Sequence, residues 1–150
     1  MIELKSFGAL ARAFERNIEI LVAQYATAME ITAIAVLGEA RSEIGHYQRE
    51  DTEPAEAWPE LLDATKKARL RGGFSENDPL LRSGDLWASI KHESTAQSFV
   101  VGSDSKIAEY MVMGTPTVPP RDFLSPALHR NIPFILSEIG KAVEATLSGK

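Results

Sequence analysis

The chain has 150 residues, of which 44% are hydrophobic and 25% are charged, and its formal net charge is −5 at pH 7. These values predict one ordinary domain, residues 1–150, with a core of its own. The acidic balance argues against nucleic-acid binding as the main function. The chain has no cysteine, which excludes disulfides, thiol catalysis and cysteine-ligated metals.

The first 45 residues have the apolar period of one long helix. Gly45 suits its C-terminal end, and Gly8 and Gly38 are weak points within it. A continuous helix here would be roughly 60 Å long, whereas a compact domain of this size is only about 40 Å across. The helix therefore either breaks near one of these glycines or projects beyond the body (58–150), where its apolar stripe needs a partner. That stripe consists of Phe7, Ala11, Phe14, Ile18, Leu21, Tyr25 and Ala28, spaced by three and four residues.

The most apolar stretch of this helix, Ile18 to Leu37, is interrupted by polar side chains, among them Glu19, Gln24 and Glu30. A membrane span needs roughly 18 or more apolar residues in a row. The first residues also lack the basic, apolar and small-residue segments of a secretory signal. Neither membrane insertion nor such a signal is therefore expected.

Short elements are predicted in the middle of the chain. Residues 46–57 read as a polar, acidic loop, and a short helix follows from Pro59 to about Leu70. Ser83 can cap another short helix, with Trp87 in the core. Two strands of a small hairpin are expected at about 91–94 and 98–101.

The last part of the chain is predicted to be mainly helical. Residues 106–113 suit a helix that Gly114 ends. Three prolines between Thr115 and Pro120 require an extended loop. A final helix starts near Ser125 and bends or restarts at Pro133. Its expected inner face consists of Ile132, Ile135, Leu136, Ile139, Val143 and Leu147.

These elements together predict an α+β fold. It contains a long N-terminal helix (residues 1–45), a small antiparallel β-sheet, short helices and a C-terminal helix.

Motifs that carry chemistry are missing from the sequence. His46, His92 and His129 each lack a second ligand at the i+4 spacing of helical metal sites. There is no Gly-x-Ser-x-Gly elbow and no phosphate-cradling glycine loop. We therefore expect no catalytic residues, no metal and no cofactor.

Basic residues cluster around the helix before Gly72, and three interpretations of them stay open. They could contact DNA phosphates, face an acidic partner, or form a solvated surface balanced by Glu60 and Asp63. The cluster consists of Lys66, Lys67, Arg69, Arg71 and Arg82.

A series of short motifs follows in the second half of the chain. The series is Leu80-Leu81-Arg82-Ser83-Gly84-Asp85-Leu86 with Ser89-Ile90, then Val101-Gly102, then Ala108-Glu109-Tyr110 before Met113-Gly114-Thr115, then Pro119-Pro120-Arg121-Asp122-Phe123-Leu124 before Pro126-Ala127-Leu128. In this order the motifs resemble the tail-completion and virion-morphogenesis proteins of tailed bacteriophages. The earlier Trp58-Pro59-Glu60-Leu61 is similar to the Mu-type branch. Asp122 stands where proline often lies in that group, so the loop is expected to be less rigid.

The resemblance implies a structural protein of the virion neck or the head-proximal end of the tail, assembled in the host cytoplasm. Its partners would be copies of itself in a ring of six or twelve, connector or head-closure proteins, and tail-terminator or tail-tube proteins. DNA would be met only where it passes through the ring. The alternative is a small nucleic-acid-binding or regulatory module that uses the Lys66–Arg71 helix.

The loop that ends in Phe123 is the predicted interface of this assembly. Aromatic and arginine side chains are favoured at interface cores, so Phe123→Ala and Arg121→Ala are expected to leave a folded monomer that assembles poorly. The predicted interface residues are Trp58, Tyr110, Gly114, Thr115, Pro119, Pro120, Arg121, Phe123 and Leu124.

Overall fold

The computed structural model of the chain describes residues 6–47 and 53–148. Within these ranges the order of elements is α1 (Phe7–Ser42), α2 (Asp63–Arg71), α3 (Asp85–Ser89), β1 (Lys91–Ser94), β2 (Phe99–Gly102), α4 (Lys106–Met113) and α5 (Ser125–Ser148). The predicted α+β fold is confirmed. The short strands form a two-stranded antiparallel sheet in which Lys91 pairs with Gly102 and Ser94 with Phe99.

Helix α1 is continuous over 36 residues, so it is about 54 Å long. The Ser6 hydroxyl caps its start by accepting from the backbone N–H of Ala9 at 3.2 Å. Neither Gly8 nor Gly38 interrupts it, and the predicted alternative of a broken helix is wrong. Gly45, at φ +96°, lies in the turn that follows the helix, because a glycine adopts this conformation without steric cost.

Helix α5 packs antiparallel against the C-terminal half of α1. Arg130, near the start of α5, donates to Glu39 at 2.9 Å and also to Glu43, both near the end of α1. The buried side chains of these helices are mostly small, which lets two helix axes approach closely. They are Ala28, Met29, Thr32, Ala33, Val36 and Ala40 on α1, and Pro126, Ala127, Ala142 and Thr146 on α5.

The main core lies at the end of α1 where α5 begins. It joins α1, α3, α4 and α5 through Ala40, Ile44, Trp58, Leu86, Ile90, Ala108, Phe123 and Ala127. The hairpin of β1 and β2 packs on α1 beside this cluster. The N-terminal part of α1 takes no part in the core, since its first buried residue is Ala28.

Three local predictions differ from the structure. Trp87 is 44% exposed at the surface, with the Arg41 guanidinium stacked on its ring at 4.3 Å from the centroid. Helix α3 is capped by Gly84, at φ +90°, rather than by Ser83. Helix α2 begins at Asp63 rather than at Pro59.

The predicted inner face of α5 is only partly correct. The helix passes through Pro133 without restarting. Ile135 and Ile139 are half-buried, but Ile132, Leu136, Val143 and Leu147 are exposed. The helix is rotated so that the small Ala142 and Thr146 face inward.

Glu30 ties the hairpin to α1. Its carboxylate accepts a hydrogen bond from the Ser94 hydroxyl at 2.5 Å and lies 3.0 Å from Nε2 of His92. These two bonds, that of Ser94 first, lower the pKa of Glu30 below its ordinary value of 4.5. The ionised form therefore stabilises the folded state above that pH.

Replacing Glu30 by glutamine tests this contact. The stabilisation that the carboxylate provides is present above pH 4.5 and is lost as the pH falls through the lower pKa of the folded state. Below pH 4.5, the free energies of unfolding of the unmodified chain and Glu30→Gln should therefore converge, as measured by urea denaturation at several pH values. Glu93→Gln, on strand β1 between His92 and Ser94, is the control, because Glu93 has no hydrogen bond or ion pair among the described residues. A gap that widens on acidification would contradict the assignment.

Candidate interaction surfaces

The loop predicted as the interface is largely part of the core. Phe123 is 0% exposed and packs in the cluster that also contains Trp58. The indole N–H of Trp58 donates to the carbonyl oxygen of Asp122 at 3.3 Å. The prediction that Trp58 and Phe123 present their side chains to a neighbouring protein is wrong, because the chain itself covers both.

Arg121 is also buried, with 5% of its surface exposed. Its Nη2 donates to the carbonyl oxygen of Pro59 at 3.0 Å, and its backbone N–H donates to that of Met111. Its Nε is buried without a hydrogen-bond partner. Burial lowers the pKa of this guanidinium, and the nearby charge of Arg69 lowers it further while Tyr47 acts in the opposite direction. Arg121 therefore holds the loop in place and is not the exposed charged anchor that the interface prediction requires.

Asp122 fastens the loop to α5. One carboxylate oxygen, Oδ1, accepts from the backbone N–H groups of Leu124 at 2.8 Å and Ser125 at 3.0 Å. These groups belong to the start of α5, where backbone donors lack partners within the helix. Asp122 therefore restrains this loop through two hydrogen bonds, and the lower rigidity expected relative to proline stays a prediction.

Gly114 allows the loop to fold back over α4. It ends α4 at φ +74°, as predicted, and Thr115 and Val118 then bond to each other across a tight turn. A Cβ at position 114 would lie 3.0 Å from Cδ of Pro120, so only glycine fits without displacement. Gly114, Thr115 and Leu124 are half-buried.

Of the predicted interface residues, three remain on the surface. They are Tyr110 on α4 and the prolines Pro119 and Pro120 of the loop.

Two exposed apolar stripes were not identified as a pair from the sequence. The first, called the α1 stripe, lies on the N-terminal part of α1, where Phe7 is 90% and Phe14 is 61% exposed. The second, called the α5 stripe, follows α5 beside its buried face. The α1 stripe consists of Phe7, Phe14, Ile18 and Val22, and the α5 stripe of Leu128, Ile132, Leu136, Val143 and Leu147.

A groove of about 830 Å³ lies between α2, α4 and the turn at residues 115–118. Its walls are largely apolar and include Leu61, Leu62, Ile107 and Met111. Arg121 and Arg69 also line it. A smaller cavity of about 550 Å³ lies beside Arg41 and Trp87.

The basic cluster of the sequence does not form one exposed surface. Arg69 is buried, and its Nη1 donates to three carbonyl oxygens, at 2.7 Å in the case of Asp78. Lys66 pairs with Glu60 at 3.4 Å, and Arg82 stacks on the ring of Phe74. Lys67 and Arg71 alone of these cations are exposed without a recorded partner in the described part of the chain.

The structure also bears on two other kinds of site, a metal site and a membrane span. Among residues 6–47 and 53–148, no group of three or more histidine, aspartate or glutamate side chains could hold a metal ion. Helix α1 is long and apolar enough to cross a membrane by length and composition alone. Mostly buried core helices of soluble proteins and signal sequences meet the same criterion.

Comparison with known proteins identifies no relative, since no protein-family model, no curated protein and no solved structure matches the chain.

The buried position of Phe123 leads to a stability prediction. Phe123→Ala should lower the free energy of unfolding by about 3–5 kcal/mol, because it leaves a cavity in the core. Tyr110→Ala, in the half-exposed helix α4, should change it by less than about 1 kcal/mol. Urea denaturation followed by circular dichroism measures both. Equal stabilities for the two variants would show that the loop is not part of the core.

Proposed function

We propose that this chain is a non-catalytic assembly protein that binds copies of itself in a ring. As the motif resemblance implies, the ring would act in tail completion or head–tail joining at the neck of a tailed bacteriophage. The observation that carries the proposal is the uncovered α1 stripe.

The α1 stripe continues a face that the fold buries elsewhere. Ile18 and Val36 lie five complete helical turns apart, as do Val22 and Ala40, so each pair points in the same direction. Val36 and Ala40 are buried, whereas Ile18 and Val22 are exposed. One helical face is therefore half core and half surface. Contiguous apolar surface of this kind marks interaction sites in soluble proteins.

The α5 stripe of a second copy is the occupant that we propose for the α1 stripe. Both are apolar and helical, and residues 7–22 span about 24 Å while residues 128–147 span about 30 Å. The contact would extend the mode of packing that already joins α1 to α5 within one chain. Each copy carries one stripe of each kind, so the contact is heterologous and closes into a ring when the rotation fits. The number of copies, six or twelve, comes from the resemblance alone.

A protein partner suits the α1 stripe better than a bilayer does. The helical segment that bears the stripe, residues 7–22, carries four charged side chains, Arg12, Glu15, Arg16 and Glu19. Charged side chains are costly to place in the hydrocarbon core. The remainder of α1 is packed against α5 and the hairpin, and membrane insertion would require those contacts to open.

The alternative function, nucleic-acid binding through the Lys66–Arg71 helix, has less support. Its central cation, Arg69, is buried and bound to backbone carbonyls. Lys67 and Arg71 would have to provide the phosphate contacts.

Two complementary variants test the ring contact. Phe14→Ser/Ile18→Ser removes apolar area from the α1 stripe, and Ile132→Ser/Leu136→Ser removes it from the α5 stripe. At about 2 kcal/mol for each side chain, each double variant should weaken association roughly a thousandfold. Each alone should be monomeric in analytical ultracentrifugation with unchanged helix content. Mixed together, they should form a dimer that grows no further, because one intact contact remains.

The control for these variants is Ile20→Ser/Ile34→Ser. Both isoleucines are exposed on α1 but lie on the face opposite the α1 stripe. This control should assemble like the unmodified chain. A mixture of the two stripe variants that stays monomeric would refute the heterologous contact, and association only with lipid vesicles would refute a protein partner.

The setting in a virion has its own test. The protein should be present in purified virions, and deletion of its gene should leave heads and tails that do not join, as seen by electron microscopy. Complete virions that lack the protein would contradict the proposed function while leaving the stripe contact to be judged separately.

A further inference from the structure

The groove between α2 and α4 has features that the ring contact does not use. Leu62 and Ile107, both on its walls, are exposed large apolar residues. Its volume of about 830 Å³ lies within the range of protein pockets that hold organic ligands. The stripes of α1 and α5 contribute no residue to its lining.

Two buried cations line this groove without a carboxylate partner. Arg69 and Arg121 are each more than nine-tenths buried, and neither forms a salt bridge within the described residues. Arg69 donates to three carbonyl oxygens. The guanidinium of Arg121 has one such bond, and its Nε has none.

The carboxylates that line the groove do not neutralise these cations. Glu60 is exposed and pairs with Lys66, while Asp85 is exposed and accepts from the Ser83 hydroxyl at 2.6 Å. Burying a charge is costly unless an opposite charge compensates it. An anion placed in the groove would recover part of that cost, because electrostatic attraction is strong where water is excluded.

We propose that this groove binds an acidic, apolar segment of another protein, with a carboxylate of the segment facing Arg121. The apolar walls would hold side chains on both sides of that carboxylate. Charge complementarity selects the acidic group, and the exposed Leu62 and Ile107 select a peptide over a small acid, which would leave them uncovered. The site is separate from the stripes, so a ring could bind a different protein with it.

Selection from a displayed library of random octapeptides tests the proposal on the full-length protein. The selected peptides should carry glutamate or aspartate flanked by apolar residues. Changing that glutamate to glutamine in a synthetic peptide should weaken binding at least tenfold, as measured by fluorescence anisotropy. Arg121→Lys should weaken it by a similar factor, because the lysine keeps the charge but loses the planar fork.

A blocking variant keeps the test independent of the buried arginine. Thr65 is exposed and lines the groove, so Thr65→Trp should abolish peptide binding without disturbing the core. Leu70→Trp is the matched control, because Leu70 is exposed on the opposite side of α2, and it should bind like the unmodified chain.

Four outcomes would overturn the proposal. They are a selection that enriches no peptide, selected peptides without a carboxylate, binding that survives Thr65→Trp, and tighter binding of octanoate than of any selected peptide. The last would assign the groove to small carboxylic acids. None depends on ring formation, because peptide binding is measured on a surface outside both stripes.

Discussion

The antiparallel packing of α5 on α1 is the interaction on which the rest of the structure depends. Small side chains bring the two helices close together, and Arg130 joins them through Glu39 and Glu43. Glu43 is buried, so removal of Arg130 would leave an uncompensated charge in the interior. This pairing sets where the core forms, because α3, α4 and Trp58 assemble at the end where α5 begins. It also determines which part of α1 stays uncovered.

The loop from Pro119 to Leu124 lies between two candidate surfaces, the groove and the α5 stripe. Phe123 anchors it in the core, Arg121 bonds it to Pro59, and Asp122 bonds it to the start of α5. The groove lies on one side of this loop, and α5 with its stripe begins on the other side. A chain built in this way carries two separate candidate interaction surfaces.

Local signals in the sequence predicted much of the fold. Strand β1, helix α4, the cap at Gly114 and the start of α5 were all predicted correctly, because short-range backbone chemistry determines them. The continuity of α1 could not be decided, since a helical glycine costs only about 1 kcal/mol and tertiary packing outweighs it.

The candidate site was harder to predict, because burial depends on distant neighbours. Trp58 and Phe123 were interpreted as interface anchors, yet both are buried in the same core cluster. Trp87 was expected in the core but lies at the surface under Arg41. Arg69 and Arg121 were read as surface cations, since nothing in their local sequence reveals the carbonyl groups that bind them. The α5 stripe was predicted to face inward. The reason is that the apolar residues of α5 cover a wider arc of the helix than the part that contacts α1.

The antiparallel pairing also has a consequence for how the chain folds. Arg130 and Glu39 are 91 positions apart, and α5 is synthesised after every other described element. The apolar face of α1 therefore emerges from the ribosome long before its own partner exists. Contacts between such distant segments slow folding, and apolar surface exposed meanwhile favours aggregation. Polar and charged residues on the other sides of this helix, Glu19, Gln24 and Glu30 among them, favour the solubility of the nascent helix during that interval.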